Sequence, residues 1–328
     1  MASILPSPAE VRDAASRLSG LVVHTPLIPS PGLSAVAGGE VMLKLESEQT
    51  GGSFKLRGAL NALLMLPDAV RAKGVVAASA GNHGIGIAIA AERLGIAATV
   101  YVPATAPHVK REKIAQHGAR VDASQPHYDA AEAEARRAAA RTGATYVGPC
   151  TGRTLLAGAG TVAKEILDDA PNVATVIVGV GGAGLAGGIG GYLRGTAPAI
   201  RIIGAQAKHT NAMTLALASG KPTDIPDLPT LADGLAGLVD AEMLQQAEAA
   251  LDGIVTVDEA AIASAIAWMH EAHDLRVEGS GAVGVAAVRT GALKPRAFPA
   301  VIIVSGRNID EDRWRSILRS DTSQGTNR

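Results

Sequence analysis

Only one cysteine, Cys150, occurs among the 328 residues of this chain. A lone cysteine can form neither an internal disulfide nor a metal site built from several thiolates, so both kinds of structural cross-link are excluded. Aromatic residues are scarce as well, with four Tyr, two Trp and two Phe. The apolar residues are therefore mostly Ala, Val, Ile and Leu, a mixture suited to Ala-rich helices packed on β-branched strands.

A strong net charge is also missing. Lys and Arg number 30 against 31 Asp and Glu, which gives a formal net charge of -1. This balance offers no extended basic surface for nucleic acid or for an anionic membrane. No apolar run approaches the roughly 20 residues that cross a bilayer, and the N-terminus lacks a charged leader followed by an apolar core. We expect a soluble cytoplasmic protein with no nucleic-acid partner and no membrane partner.

Short and almost uninterrupted apolar segments predict the strands. They occupy residues 75–78, 98–102, 173–178, 200–203 and 300–304, and Ala-rich helical stretches separate them. Strands without polar alternation are buried on both faces, which is typical of parallel sheets with helices on either side. The pattern therefore predicts an α/β fold. The chain is long enough for two lobes, and because it has no long linker these lobes must be interleaved.

The most informative segment is GGSFKLRGA at residues 51–59. Glycine inside a regular element costs roughly 0.5–1 kcal/mol relative to alanine, so three glycines around one lysine indicate a backbone that a ligand approaches closely. Small neighbours allow the amine of Lys55 to reach a carbonyl carbon. A lysine that is partly removed from water is suited to Schiff-base chemistry.

A glycine loop, GVGGAGLAGG at residues 179–188, joins a predicted strand to a predicted helix. Its successive N–H groups and the positive helix end can hold an anion. The same letters satisfy the G-x-G-x-x-G motif of dinucleotide-binding proteins, but that motif needs an acid about 20 residues further on. From Leu185 to Ile225 the only acid is Asp224, which is too distant. A phosphate cradle is favoured, while a nicotinamide or flavin site and a purely structural role for the glycines stay open.

Two polar segments also follow predicted strands. The turn SAGNHG at residues 79–84 offers N–H groups for a carboxylate and the Asn82 amide for a phenolic oxygen. For His83 a capping or packing role fits the pattern as well as a catalytic one does. The segment SGRN at residues 305–308 places a hydroxyl, that of Ser305, at a strand end. An amine, a polar turn, an anion cradle and this hydroxyl are together what pyridoxal phosphate requires.

These segments resemble the fold-type II pyridoxal-phosphate enzymes, and within them the serine/threonine dehydratase and serine racemase family. The resemblance covers residues 23–310 and rests on six motifs: SFKLRGA at 53–59, SAGNH at 79–83, GGAGL at 181–185, LADG at 231–234, EGSGA at 278–282 and SGRN at 305–308. It implies a two-lobe fold like that of the tryptophan synthase β chain. The larger lobe would hold residues 1–70 and 152–321 and the smaller lobe residues 71–151, with a flexible tail at 322–328.

The resemblance also implies the roles of individual residues. Lys55 would carry the cofactor as a Schiff base, Asn82 would bond its 3′ oxygen and Ser305 its pyridine nitrogen. The phosphate would lie in the loop, and the predicted cofactor-binding residues are Phe54, Lys55, Asn82, Gly181, Gly182, Ala183, Gly184, Leu185, Gly234, Glu278 and Ser305. The predicted substrate-binding residues are Ser79, Ala80, Gly81, Asn82 and His83. A monovalent cation near Glu278 and a homodimer are further expectations.

The residues favour elimination as the reaction. A hydroxyl at the pyridine nitrogen leaves the ring largely unprotonated, and a weaker electron sink favours prompt loss of a β-leaving group. Lys55 would remove the α-proton, and the product would hydrolyse to an α-keto acid and ammonia. In the serine racemases a serine supplies the second acid/base, whereas Ala80 has no proton to give. We therefore expect a dehydratase, with a racemase, a β-replacement enzyme and, more remotely, a nicotinamide oxidoreductase as alternatives.

Several positions depart from the family pattern. Gln206 stands where the racemases have a metal-binding glutamate, so we expect their divalent-cation site to be absent or weakened. Ala183 replaces a glycine in the loop, and Arg307 replaces a glycine beside Ser305, where it would add positive charge near the ring. Ala159 replaces a glutamine, and Cys150 is interpreted as a small buried apolar residue. Together these changes suggest a substrate other than plain threonine, a larger or hydroxylated amino acid such as 3-hydroxyaspartate, phenylserine or a hydroxyectoine-derived compound.

Overall fold

The computed structural model describes the backbone of residues 3–325 and the side chains of residues 3–320. The strands are β1 (Leu27–Pro29), β2 (Val41–Lys44), β3 (Val75–Ala78), β4 (Ala98–Pro103), β5 (Arg120–Gln125), β6 (Thr145–Tyr146), β7 (Thr175–Gly179), β8 (Arg201–Ala207), β9 (Gly253–Val257) and β10 (Ala300–Ile303). The helices are α1 (Pro8–Leu18), α2 (Pro31–Ala37), α3 (Lys55–Leu64), α4 (Asp68–Arg71), α5 (Asn82–Leu94), α6 (His108–Ala115), α7 (Tyr128–Thr142), α8 (Arg153–Asp169), α9 (Gly184–Thr196), α10 (Ala212–Ser219), α11 (Ala241–Ala250), α12 (Glu259–His273), α13 (Gly279–Arg289) and α14 (Glu311–Gly325). Within this part of the chain, no helix is long and apolar enough to cross a membrane.

The larger sheet has six strands in the order β1-β2-β10-β7-β8-β9. The strands from β2 to β9 run parallel, and β1 at the edge pairs antiparallel with β2. Alternate side chains of the central strands enter two different hydrophobic cores: Val176 and Val301 face one, and Ile177 and Ile302 face the other. Because helices cover both faces, these strands are apolar without interruption.

The smaller sheet has four parallel strands in the order β5-β4-β3-β6. Its strand β3 also faces two cores, with Val75 and Ala77 on one side and Val76 and Ala78 on the other. Strand β5 lies at the edge and carries polar residues, so it lacks the apolar run that predicts a buried strand. The predicted fold class, parallel sheets flanked by helices, is confirmed.

The two sheets take their strands from different parts of the chain. Those of the smaller sheet lie between residues 75 and 146, and those of the larger sheet lie outside that range. Helix α3 joins the two lobes, because Leu56 and Leu60 lie in the core of the smaller sheet although the predicted boundary follows them. The boundaries at residues 71 and 152 therefore stay predictions. For the predicted tail, α14 continues to Gly325, and residues 326–328 lie outside the described residues.

Helix α1 illustrates how local sequence fixes an element. The Ser7 hydroxyl accepts a hydrogen bond from the Glu10 N–H, and the Glu10 carboxylate accepts one from the Ser7 N–H, which forms a capping box. Pro8 stands at the first helical position, where a missing N–H costs nothing. The helix then buries Val11 and Leu18.

The functional segments follow the carboxyl ends of parallel strands. The turn that begins at Ser79 follows β3, the glycine loop follows β7, and Ser305 lies two residues beyond β10. Ligands of open parallel sheets bind at these strand ends, so the topology gathers segments that are distant in sequence.

Candidate functional site

Lys55 is the first residue of α3 and lies where the two lobes meet. Its Nζ donates a hydrogen bond of 2.7 Å to the carbonyl oxygen of Pro149, and the same atom lies 5.1 Å from the centroid of the Phe54 ring. The two residues before Ser53 are Gly51 and Gly52, with φ of 81° and 74°. This left-handed turn, which glycine adopts without strain, brings the chain round to the start of α3.

A buried ion-pair cluster anchors α3. The Arg57 guanidinium is fully buried and donates hydrogen bonds to Glu46 (2.8 Å) and to Glu165 (2.6 Å). Lys44 lies 2.7 Å from the Glu165 carboxylate. Burial opposes the charged forms, yet the two carboxylates raise the pKa of Arg57, and Arg57 with Lys44 lowers the pKa of Glu165. The cluster therefore fixes the helix two residues after Lys55.

The glycine loop has the geometry of an anion cradle. Ala183 has a φ of 59° and caps α9, which begins at Gly184. Among the described residues, no backbone carbonyl accepts a hydrogen bond from the N–H groups of residues 181–185. A Cβ on Gly182 would lie 2.8 Å from the Cys150 sulfur, so no larger residue fits there. Unused N–H groups at a helix N-terminus are suited to a phosphate.

The turn at residues 79–81 leads directly into α5. The Ser79 hydroxyl accepts a hydrogen bond of 3.1 Å from the Gly81 N–H, and Ala80 packs against the core of the smaller sheet. His83 is buried, and its Nε2 lies 2.9 Å from the Val147 carbonyl oxygen. Burial, followed by the positive charge of Lys55, lowers the pKa of His83 to about 3. The imidazole is therefore neutral near pH 7, which fits a packing role better than acid/base catalysis.

Asn82 connects the lobes. Its Nδ2 donates a 2.7 Å hydrogen bond to Glu278, and its Oδ1 accepts one of 2.7 Å from Asn308. Burial, followed by the charge of Asp233, raises the pKa of Glu278 to about 7. A Cβ at Gly306 would lie 2.3 Å from the Glu278 oxygen, so the carboxylate occupies the space a side chain would take. One N–H of the Asn82 amide stays available for a ligand.

Two buried hydroxyls lie at the end of β10. Within the part of the chain that the structure describes, the Ser305 hydroxyl makes only a long contact, 3.4 Å, with the Ser280 carbonyl oxygen. The Ser280 hydroxyl has no hydrogen-bond partner among the described residues, and it would lie 2.8 Å from a Cβ on Gly234. Buried hydroxyls are normally well bonded, so this pair is suited to a further polar group. The amine, the cradle and these hydroxyls together fit pyridoxal phosphate.

Four contacts at the site were not predicted from the sequence. The Pro149 carbonyl oxygen accepts from Lys55, and Asn308 bonds both Gly51 and Asn82. Lys110 lies 3.0 Å from Asp233, which ties α6 to the larger lobe. Asn308 belongs to a segment that the sequence singled out, whereas no local pattern marks a carbonyl at Pro149 as an acceptor.

The residues that depart from the family pattern have definite surroundings. The Gln206 amide donates to the Thr210 carbonyl oxygen (2.9 Å) and accepts from Thr214. Arg307 pairs with Glu48 at 2.7 Å, which balances the positive charge expected near the ring. Ala159 is buried within a hydrophobic core. In the described residues, no group of three or more His, Cys, Asp or Glu side chains could hold a metal ion.

Cys150 has more contact with the site than its interpretation as a buried core residue allowed. It is half-buried, and both Gly182 and Gly184 lie against it. It directly follows Pro149, whose carbonyl oxygen accepts from Lys55. The adjacent residues Pro149 and Cys150 therefore contact the lysine and the glycine loop, respectively.

Comparison with known proteins agrees with this geometry. A family model described as pyridoxal-phosphate dependent enzyme matches residues 18–306. The chain is 39% identical over 302 residues to the L-threonine ammonia-lyase of Thermotoga maritima, which covers 92% of this chain and 75% of that protein. It is 33% identical over 315 residues to a serine racemase of Oryza sativa subsp. indica, covering 94% of this chain and 93% of that one.

A solved structure shares the whole architecture. Maize serine racemase superposes with a TM-score of 0.91 at 31% identity, and the match covers 98% of this chain and 99% of that protein.

Proposed function

Because the chain belongs to the family of pyridoxal-phosphate dependent enzymes, we propose that it is a lyase that converts a β-hydroxy amino acid of the serine or threonine type to an α-keto acid and ammonia. One observation carries the proposal: the Lys55 amine donates to the Pro149 carbonyl oxygen, and the glycine cradle packs against the next residue, Cys150. The likeness to an L-threonine ammonia-lyase supports the choice of reaction.

We assign the cofactor contacts residue by residue. Lys55 would hold the cofactor covalently, and the N–H groups of the loop would bind its phosphate. Asn82 and Ser305 would bond its ring substituent and ring nitrogen. The remaining walls of this site would be formed by Phe54, Gly234 and Glu278. The N–H groups of the turn, from Ser79 to His83, would bind the substrate carboxylate.

The proposed chemistry divides between cofactor and protein. When bound, the cofactor withdraws electrons from the α-carbon of the amino acid. The Lys55 amine takes the α-proton, and the neutral His83 beside it supplies no competing charge. The α-proton held by Lys55 balances the hydroxide lost from the β-carbon, so the amino acid loses one water in total, and the released enamine is hydrolysed to the keto acid and ammonia.

Racemisation of serine is the second candidate, and the likeness to maize serine racemase favours it. A racemase needs a proton donor on the face opposite Lys55. The methyl group of Ala80 cannot supply one, so we rank the dehydratase first. Chiral analysis of L-serine after incubation with the enzyme separates the two, because only racemisation forms D-serine.

Replacement of Lys55 tests the proposal. Lys55→Ala should remove keto-acid release and the borohydride-reducible visible absorbance, while Lys221→Ala, at an exposed lysine, should keep both. Unchanged turnover in Lys55→Ala would overturn the assignment. A wild-type protein that binds pyridoxal phosphate yet releases no keto acid from serine, threonine or their hydroxylated analogues would overturn the lyase reaction.

We also propose a monovalent cation beside Glu278, a homodimer and a cytoplasmic location. The buried carboxyl group of Glu278 and the family resemblance support the cation. Exposed Leu238 and Val36 are suited to burial against a second copy. The family resemblance supports the location. Activity in potassium chloride, compared with that in tetramethylammonium chloride, tests the cation. Light scattering tests the homodimer, and cell fractionation tests the location.

A further inference from the structure

The imidazole of His83 bonds a distant part of the chain. Its Nε2 lies 2.9 Å from the carbonyl oxygen of Val147, 64 residues further along. The neutral ring has a single N–H, and Nε2 must carry it because a carbonyl oxygen only accepts. The other ring nitrogen, Nδ1, is buried without a hydrogen-bond partner among the described residues. An unpaired buried polar atom costs about 1–3 kcal/mol, which an apolar side chain would avoid, so the bond to Val147 explains a histidine here better than packing does.

Val147 begins a short segment, residues 147–150, that lies between β6 and α8. Its N–H donates to the carbonyl oxygen of Val76 at 2.9 Å. In the part of the chain that the structure describes, the backbone of residues 148–151 takes part in one hydrogen bond, which the Pro149 carbonyl oxygen accepts from Lys55 Nζ at 2.7 Å. The two bonds of Val147 are therefore the backbone anchors that precede this acceptor.

The same segment contacts the glycine loop. A Cβ on Gly184, the first residue of α9, would lie 2.9 Å from the Cα of Cys150, so the backbone of Cys150 packs directly on the loop. The segment thus contacts the amine through Pro149 and the loop through Cys150. A shift of its backbone would change both contacts.

The acceptor on Pro149 suits the Lys55 amine to proton removal. The amine needs its lone pair directed at the α-proton, and donation of one N–H to a fixed oxygen sets the rotation about the Cε–Nζ bond. The lone pair forms the new N–H bond, and the electrons of the broken C–H bond stay on the substrate. The ammonium group keeps the same acceptor, and hydrogen bonds from charged donors are stronger. A displaced Pro149 oxygen would therefore slow the proton transfer.

We propose that His83 is a positioning residue for the amine of Lys55. By holding the Val147 carbonyl oxygen, it fixes segment 147–150. It thereby sets the place of the Pro149 oxygen, the acceptor for the amine. The inference rests on the proposed function for the role of the lysine as the base.

Lysine labelling tests the proposal on the cofactor-free protein, without turnover. Trace acetic anhydride followed by mass spectrometry compares the reactivity of Lys55 with that of the exposed Lys221 in the same molecule. A hydrogen-bonded amine must leave its acceptor before it reacts. His83→Leu should therefore raise the relative labelling of Lys55 about 2- to 10-fold, the range of one net hydrogen bond. His83→Gln, whose amide N–H can replace the Nε2 N–H, should keep the wild-type value.

Thr175→Val is the matched control for labelling. Thr175 is buried, and its hydroxyl donates a 2.8 Å hydrogen bond to the Ala297 carbonyl oxygen, at the end of β7 opposite the glycine loop. This variant also loses one side-chain bond to a distant carbonyl, and it should leave Lys55 labelling unchanged. An unchanged value in His83→Leu would overturn the proposal, as would an equal rise in Thr175→Val. Where His83→Leu does not fold, His83→Asn, whose shorter amide cannot reach Val147, takes its place in the comparison with His83→Gln.

Turnover of a substrate deuterated at the α-carbon supplies the second measurement. His83→Leu should lower kcat about 3- to 10-fold and leave KM almost unchanged. It should keep or increase the isotope effect on kcat, because proton removal becomes the slower step, and His83→Gln should restore the rate. An unchanged kcat, or a smaller isotope effect, would overturn the proposal. Failure of the wild type to release any keto acid, with the labelling as expected, would instead contradict the lyase function alone.

Discussion

Asn82 and Glu278 meet across the two lobes, with 2.7 Å between the Asn82 Nδ2 and a Glu278 oxygen. The bond joins the first residue of α5 to the residue that precedes α13. Both residues belong to the proposed cofactor site. The hydrogen bond that holds the two lobes together therefore ends on a buried carboxyl group, that of Glu278, whose ionisation can affect it.

The stability of the cofactor-free protein should reflect this carboxyl group. Burial and Asp233 raise the pKa of Glu278 from 4.5 to about 7. The folded state then holds a proton that the unfolded state has lost, so the stabilisation is full below pH 4.5 and disappears as the pH rises to about 7. Between pH 4.5 and 8, the free energy of unfolding of the wild type should therefore fall by up to about 3 kcal/mol relative to that of Glu278→Gln.

Urea unfolding of the two proteins at a series of pH values measures this difference. Other titrating groups are common to both proteins and cancel in the comparison. A constant difference across the range would show that Glu278 has an ordinary pKa in the folded state.

The protein should be less stable with alanine at position 183 than with glycine there. Its φ of 59° lies in the left-handed region, where a Cβ costs roughly 1–2 kcal/mol. Glycine relieves this cost but loses about 0.4–1 kcal/mol through the greater freedom of the unfolded chain. Ala183→Gly should therefore stabilise the protein by roughly 0.5–1 kcal/mol in urea unfolding.

Ala186→Gly is the matched control for this position. Ala186 lies inside α9, where glycine should destabilise by about 1 kcal/mol or more. Destabilisation by both substitutions would contradict a strained Ala183.

The Arg57 cluster should dominate the stability of α3. Arg57→Met leaves Glu46 and Glu165 buried without their shared cation, which costs about 3–5 kcal/mol for a broken buried pair. Lys164→Met, next to Glu165 on α8, removes a more exposed pair with Asp168 and should cost no more than about 1 kcal/mol.

Thermal or urea unfolding distinguishes these two variants. The Arg57 variant should also show weakened cofactor absorbance, because Lys55 lies on the same turn of α3. Equal stability of the two variants would show that the buried cluster stabilises the protein no more than the exposed ion pair does.

Ala80→Ser should introduce racemisation. A serine hydroxyl at this position can return a proton to the face opposite Lys55, so the variant should form D-serine from L-serine faster than the wild type. Chiral chromatography of the reaction mixture measures this. Ala80→Gly, which lacks a hydroxyl, serves as the control and should form no more D-serine than the wild type. If Ala80→Ser forms no more D-serine than the wild type, the proton donor of a racemase must lie at another residue.

Much of the fold was predictable because it follows from local patterns. The apolar segment at 75–78 became β3, and that at 300–304 contains β10. Strand β5 was missed because an edge strand is polar on one face. At the site, the motifs identified Lys55. The acceptor for its amine is the carbonyl oxygen of Pro149, 94 residues away, which no local pattern predicts.

The sequence alone determined the alternation of strand and helix and the chemistry that follows each strand, since both depend on residues next to one another in the chain. Only the tertiary structure decided that Asn82 meets Glu278, 196 residues later, and that Tyr128 lies beside Ala78. The reason is physical. The order of strands in a sheet and the packing of one lobe on the other bring together atoms whose separation along the chain carries no information about their distance in space.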